Sequence, residues 1–199
     1  TMRSLAIVGL LLFGSPSVQA DWPLFRGNPL QDGSSADPIP DQLEILWKFN
    51  AKDGIEGAPI IVDGVVYFGA FDEHLYAVNL KSGELKWKKK LGTIKASPSF
   101  RNGRVYIGDV EGKFYCVDAA KGELVWQFET GGEISSGCNF AGDRILIGSH
   151  DETLYCLDDK GKKVWEFKTQ GPVNGAPAVV GDRTFVAGCD SNLHVINVK

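Results

Sequence analysis

The stretch Ala77-Val78-Asn79-Leu80-Lys81-Ser82-Gly83-Glu84-Leu85-Lys86-Trp87 is written three times in this chain. It returns as Cys116-Val117-Asp118-Ala119-Ala120-Lys121-Gly122-Glu123-Leu124-Val125-Trp126. One residue shorter, it returns again as Cys156-Leu157-Asp158-Asp159-Lys160-Gly161-Lys162-Lys163-Val164-Trp165. Each copy reads as the end of an apolar strand, a turn opened by Asn or Asp, a glycine, and an alternating strand that carries tryptophan. The Asx side chain caps such a turn through local hydrogen bonds, and glycine takes a φ its neighbours resist.

Three landmarks carry the repeat along the chain. Trp47, Trp87, Trp126 and Trp165 recur at a nearly constant interval. Gly69, Gly108, Gly148 and Gly188 keep the same interval, and so do Asn79, Asp118, Asp158 and Asn197. A shared period of about forty residues marks a repeat architecture. Within the first unit, Ala58 to Val62 is an apolar strand, Asp63-Gly64 a two-residue hairpin signal, and Val65 to Phe68 a second strand. A turn through Asp72 leads to Leu75 to Val78, and Ser82-Gly83 turns the chain into the alternating strand Glu84 to Lys88. The second unit repeats this as Ser97–Phe100, Val105–Ile107, Phe114–Val117 and Leu124–Phe128. The third runs through 145–147, 154–157 and 164–167, and the fourth supplies 176–180, 184–187 and 193–198. Four-stranded units with two apolar faces stack radially, so the expected fold is an all-β propeller of four-stranded antiparallel blades. The blades fall at about 45–91, 92–130, 131–169 and 170–199, the last incomplete.

The first twenty residues read as a secretion signal: Arg3, the apolar run Leu5 to Phe13, a break at Gly14-Ser15-Pro16-Ser17, and the small-residue exit Val18-Gln19-Ala20. Nine apolar residues fall short of the roughly twenty needed to span a bilayer. No other segment is apolar enough, so no membrane span is expected. Export by a cleaved signal implies a periplasmic or secreted protein, and Asp21 after the cut, where a lipoprotein needs cysteine, speaks against a lipid anchor. Removing residues 1–20 leaves 20 basic against 25 acidic residues, a net charge of −5. That sign argues against nucleic acid as partner. The one basic run, Lys86 with Lys88-Lys89-Lys90, reads as the solvated face of an outer strand. Cys116, Cys138, Cys156 and Cys189 show no zinc-site spacing and read as four free thiols.

The turn motif of residues 77–87, 116–126 and 156–165 resembles the tryptophan-docking motif of the quinoprotein, or PQQ-like, β-propellers, a family that includes BamB-like members. The resemblance covers about residues 43–199. It implies that each indole stacks on the next blade, and that about four blades are present of a ring of seven or eight. It also implies two functional classes. One is a non-catalytic scaffold that binds a protein or ligand at its rim, the reading adopted. The alternative is the N-terminal part of a PQQ-dependent dehydrogenase, with calcium, whose active site is completed elsewhere. The adjacent cysteines common in the dehydrogenases are missing here, and no calcium site with an Asp base is assignable. No catalytic, cofactor-binding or metal residue is therefore assigned. The opening Asp21-Trp22-Pro23-Leu24-Phe25-Arg26-Gly27-Asn28-Pro29 is similar to a lead-in of exported members, expected to pack across the ring as a plug or clasp, with Arg26 available to a carboxylate. Residues 28–42, rich in Asp, Pro, Gly and Ser, read as a linker, so 21–42 forms lead-in and linker together.

Two sets of polar residues invite a functional reading. Asp72, Glu111, Asp151 and Asp190 recur between the second and third strands, which places four carboxylates on one rim; good turn chemistry explains them more simply than a cation site. His74, His150 and His194 stand near that rim at non-equivalent positions, with His194 in the slot of Tyr76, Tyr115 and Tyr155. They read as packed or solvated rather than metal-binding. Ser135-Ser136-Gly137-Cys138 aligns with the approach to an inner strand, so no nucleophile is expected. Ile45 to Phe49 carries Trp47 in the fourth-strand position without three strands before it. It either completes the last unit and closes a four-bladed ring, or opens a larger propeller of which this chain is a part. Two half-rings pairing into eight blades is a third possibility.

Overall fold

Two-residue turns fold the first hairpin of every unit. Asp63-Gly64 has φ of 50° and 71°, and Asn102-Gly103 has 52° and 72°, the consecutive left-handed pair of a type I′ turn. In the third and fourth units glycine comes first instead, with Gly142 at 59° and Gly181 at 56°, as a type II′ turn requires. Both turn types twist with their strands, so each hairpin closes without splaying.

The structure is a computed structural model that describes residues 21–36 and 38–199. The expected signal segment, 1–20, lies outside the described residues. Among the described residues, fifteen strands form four antiparallel sheets. The first holds β1 (Ile60–Val62), β2 (Val65–Gly69), β3 (His74–Asn79) and β4 (Leu85–Lys90). The second holds β5 (Ser99–Arg101), β6 (Arg104–Gly108), β7 (Lys113–Asp118) and β8 (Leu124–Glu129). The third holds β9 (Asn139–Ala141), β10 (Arg144–Ser149), β11 (Thr153–Leu157) and β12 (Lys163–Lys168). The fourth has three strands, β13 (Ala178–Val180), β14 (Arg183–Ala187) and β15 (Leu193–Asn197). Strand order within each sheet follows the sequence, the up-and-down order of a propeller blade. No described helix is long and apolar enough to cross a membrane.

The innermost strands are shorter than their apolar runs predict. β1, β5 and β13 start at residues 60, 99 and 178, just beyond Pro59, Pro98 and Pro177, whose rings leave no N–H for a ladder. Packing then runs between blades. Ile60, Leu75 and Ala77 of the first blade bury against Ile94, Val105, Ile107 and Val117 of the second, with Trp87 at the side. Phe114 and Cys116 meet Phe140, Ile145, Ile147 and Leu157 in the same way, and Leu146, Leu154 and Cys156 meet Val173, Val179 and Val186. The outer strands β4, β8 and β12 alternate exposed and half-buried residues. All four cysteines are free.

Residues 45–49 depart from the expected outer strand. They pair with no strand, β15 has β14 as its one ladder partner among the described residues, and no four-bladed ring is closed. Trp47, Phe49 and Ala51 instead cover the open face of the first blade, against Val66, Phe68, Ala70, Tyr76 and Val78. Phe49 meets Phe68 and Tyr76 edge-on, at centroid distances of 5.6 and 5.3 Å. The segment has the side chains of an outer strand, but the third strand it would pair with is not beside it.

Candidate binding site at the inner edge and rim of the blades

The docking turns fix one blade on the next. Asn79 Oδ1 accepts from the N–H groups of Lys81 and Ser82, Asp118 Oδ1 from Ala120 and Lys121, and Asp158 Oδ1 from Lys160 and Lys162. Gly83, Gly122 and Gly161 then sit at φ of 70°, 71° and 77°. Each lies under an indole from the preceding segment. A Cβ built on Gly83 would stand 2.7 Å from Trp47, on Gly122 2.7 Å from Trp87, and on Gly161 2.6 Å from Trp126. The three indole Nε1–H groups donate to the carbonyls of Leu80 (2.8 Å), Ala119 (2.9 Å) and Asp159 (3.0 Å). Trp47, Trp87 and Trp126 are thus locked into blade contacts.

The recurring rim acids are also spent locally. Tyr76 Oη donates to Asp72 Oδ2 at 2.5 Å, and Tyr155 Oη to Asp151 Oδ2 at 2.7 Å. His194 Nε2 replaces the phenol in the last blade and donates to Asp190 Oδ2 at 2.7 Å. In the second blade the bond is to Asp109 Oδ2, at 2.6 Å from Tyr115 Oη, and not to Glu111. Sequence position nominates Glu111, yet the fully buried Asp109 also accepts from the Lys113 N–H at 2.8 Å and so claims the tyrosine. Burial, then the charge of Asp109, raises the Glu111 carboxyl. Burial followed by the carboxylate bond pushes the phenols of Tyr76 and Tyr155 up to about 12. Burial alone would raise Asp151, but hydrogen bonds from Tyr155, the Gly131 N–H and Ser149 outweigh it and lower the carboxyl. The His194 bond lowers Asp190 to about 2. These pairs staple each loop to its own third strand.

The histidines do not converge. His74 Nδ1 donates to the Asp72 carbonyl at 2.7 Å, and His194 serves its own blade. His150 Nε2 stands 2.9 Å from Ser135 Oγ, a pairing that sequence position alone gave no reason to expect. Glu133 Oε2 is 4.0 Å from His150 Nδ1 and its other oxygen is 3.5 Å from Lys95 Nζ. A carboxylate at 4.0 Å does not close the hydrogen-bonded relay that would activate Ser135. Among the described residues no three His, Cys, Asp or Glu side chains come together as a metal site. Burial pushes the Cys116 and Cys156 thiols up to about 11 and Cys138 up to about 12, away from the reactive thiolate.

At the centre, the chemistry is main-chain. Ile61, Phe100, Phe140 and Val179 are equivalent residues of β1, β5, β9 and β13, paired with Val66, Val105, Ile145 and Thr184. Each N–H points inward from a free strand edge. Ile61 donates to the Trp22 carbonyl at 3.0 Å and its own carbonyl accepts from Trp22 at 2.6 Å. Phe100 donates to the Pro23 carbonyl at 2.8 Å, and Val179 to the Pro29 carbonyl at 2.9 Å. Phe140 donates to Asn139 Oδ1, and Asn139 Nδ2 passes the contact on to the Pro29 and Pro177 carbonyls, all at 2.8 Å. One crossing segment, residues 22–31, therefore serves the inner edge of all four blades. Leu24, 5% exposed, is its buried anchor, in the core beside Tyr106, Cys138 and Phe140. Phe25 lies close to Gly137, and Gln31 Nε2 donates to the Pro177 carbonyl at 3.1 Å. Arg26 turns away to solvent, where its side chain covers Gly33. Bonds from the Ser34 N–H and the Asn28 and Ser34 side chains lower Asp32, and the Arg26 charge adds to them.

The family model described as outer membrane protein assembly factor BamB matches residues 41–113 and 110–199. An outer membrane protein assembly factor BamB of Yersinia pestis is 29% identical over 65 residues, which is 27% of this chain and 16% of that protein. The crystal structure of BamB from Moraxella catarrhalis superimposes with a TM-score of 0.69 at 24% identity, over 77% of this chain and 49% of that one. A quinohemoprotein alcohol dehydrogenase, ADHIIG from Pseudomonas putida HK5, gives a TM-score of 0.79 at 18% identity, over 90% and 38%. Both structures are likenesses of fold, and the chain spans about half the length of the Moraxella protein.

Proposed function

This chain belongs to the family of the outer membrane protein assembly factor BamB, and we propose on that footing that it is an exported, non-catalytic propeller that binds other polypeptides. The observation that carries the reading is the inner edge. The N–H groups of Ile61, Phe100 and Val179 donate to one crossing segment, and the fourth reaches it through Asn139, an arrangement that recognises main chain, while the rim acids are engaged within the blades. Donors of this kind suit peptide binding by strand edges. The place of action is the periplasm or exterior, reached by the signal read in residues 1–20.

The alternative, the N-terminal part of a PQQ-dependent dehydrogenase, has its active site completed outside these residues. PQQ and calcium would need converging carboxylate and amide oxygens, whereas Asp72, Asp109, Asp151 and Asp190 each accept from a tyrosine or histidine of their own blade.

The test is a reconstituted assembly reaction in which an outer-membrane β-barrel protein folds into vesicles with and without the purified protein. A faster or more complete insertion, with a complex detectable by crosslinking, is expected. An unchanged rate and no complex would sink the reading, and dye reduction with alcohols after adding PQQ and calcium would replace it.

A further inference from the structure

The crossing segment is held in a way that allows exchange. Its contacts to β1, β5, β9 and β13 are main-chain carbonyls and one main-chain N–H, groups that any polypeptide supplies, and turns at Leu24–Gly27 and Asn28–Gln31 set their spacing. One side chain, Leu24, is deeply buried; Trp22, Pro23 and Phe25 are half-buried. Beyond it, residues 38–46 are exposed throughout and in no strand, with Ile39 84% and Leu43 82% exposed. The segment is thus a short clasp on a tether, without which the N–H groups of Ile61, Phe100 and Val179 would stand unpaired at their strand edges.

We propose that the inner edge is a binding site for a segment of another polypeptide that bends as residues 22–31 do and displaces them. This inference rests on the reading of the protein as a polypeptide-binding scaffold, and it names the site and the ligand class. The ligand fits as the clasp fits: a stretch with an aromatic residue, proline and an aliphatic side chain for the Leu24 slot, any charge turned to solvent as at Arg26, and its carbonyls directed at Ile61, Phe100 and Val179. Tethering gives the clasp a high effective concentration, so outside ligands bind weakly until the clasp is loosened or the ligand is concentrated.

The test uses the chain from Asp21 onward and its Leu24→Ala variant, with two fluorescent peptides. One has the sequence of residues 21–31; the other shares the aromatic-Pro-aliphatic-aromatic pattern and no further identity. Loosening the clasp is expected to tighten the apparent Kd of both peptides by about tenfold or more. In hydrogen exchange the Ile61, Phe100 and Val179 amides should speed up in the variant and be protected again by either peptide. Binding of the first peptide alone would make the segment a private clasp and overturn the proposal, as would binding of neither. A doubled mass without peptide uptake would assign the groove to a second copy and overturn it too. Should Leu24→Ala unfold, exchange in the unaltered chain decides. The three amides must exchange faster than those of β2, since exchange only through global unfolding means that the clasp never leaves. A failure here leaves the assembly reaction unaffected, so the two readings fall separately.

Discussion

Gly122 and Gly103 offer a matched pair for measuring what the docking turn contributes. Their φ values are 71° and 72°, but an added Cβ at Gly103 meets nothing within 4 Å while at Gly122 it stands 2.7 Å from the Trp87 ring. Alanine at either position takes on left-handed strain of about 1–2 kcal/mol, partly offset by about 0.4–1 kcal/mol from the stiffer unfolded chain. Gly103→Ala should therefore destabilise by about 1 kcal/mol. Gly122→Ala also lifts the indole from its seat and breaks the Trp87–Ala119 hydrogen bond of 2.9 Å. That bond is worth about 1 kcal/mol and the ring packing about the same again. The expected difference between the variants is about 2 kcal/mol, or about 4–8 °C in Tm at this chain length. Urea titration followed by far-UV circular dichroism reads it without relying on the tryptophan itself. In a Trp87→Ala background the difference should shrink to a few tenths of a kcal/mol. Equal losses from Gly122→Ala and Gly103→Ala in the unaltered background would refute the idea that indole docking joins the blades.

Further expectations follow from the rim and the centre. Asn139→Ala should cost about 1–3 kcal/mol, because it leaves the Phe140 N–H and the Pro29 carbonyl without their relay; exchange at Phe140 no faster than in the parent would count against it. Glu111→Gln should stabilise by a few tenths of a kcal/mol at pH 7, since it removes a carboxylate crowded by Asp109 and can donate to it; a loss in denaturant midpoint is the contrary result. The phenols of Tyr67, Tyr76, Tyr106 and Tyr155 stand near 12 when folded against 10.0 ordinarily. The fold favours their protonated form, so this contribution is intact below pH 10 and fades as pH rises towards 12. Phenolate absorbance should appear together with alkaline unfolding, and ionisation near pH 10 with the blades intact would contradict the burial of these rings.

The blades were legible because their punctuation is local. Asx-turn, glycine and tryptophan recur at one spacing, and every element between them obeys a period of two. Even the hairpin types follow from whether Gly comes first, as in Gly142 and Gly181, or second, as in Gly64 and Gly103. Equivalence by position failed where a neighbour intervened: Asp109 is set just before Glu111, and only its burial reveals that it takes Tyr115. Ile45 to Phe49 kept the side-chain pattern of a strand without forming one, because pattern records what a face packs against and is silent on ladder partners. The Ser135–His150 contact joins the approach to β9 with the loop after β10, and nothing in either segment announces the other. The register of the lead-in on four separate strands is likewise a property of the assembled arc.

The order of contacts along that lead-in sets an order of events. Trp22 meets Ile61 of β1, Pro23 meets Phe100 of β5, and Pro29 meets Val179 of β13. Each closed span is nearly double the last, and each doubling of a loop costs only about 0.6 kcal/mol of chain entropy. A hydrogen bond gained at each stage, worth about 1 kcal/mol, outweighs that increment. The segment can therefore fasten one blade at a time in the order the blades are made. It is fully seated only once the fourth inner strand, β13, is in position.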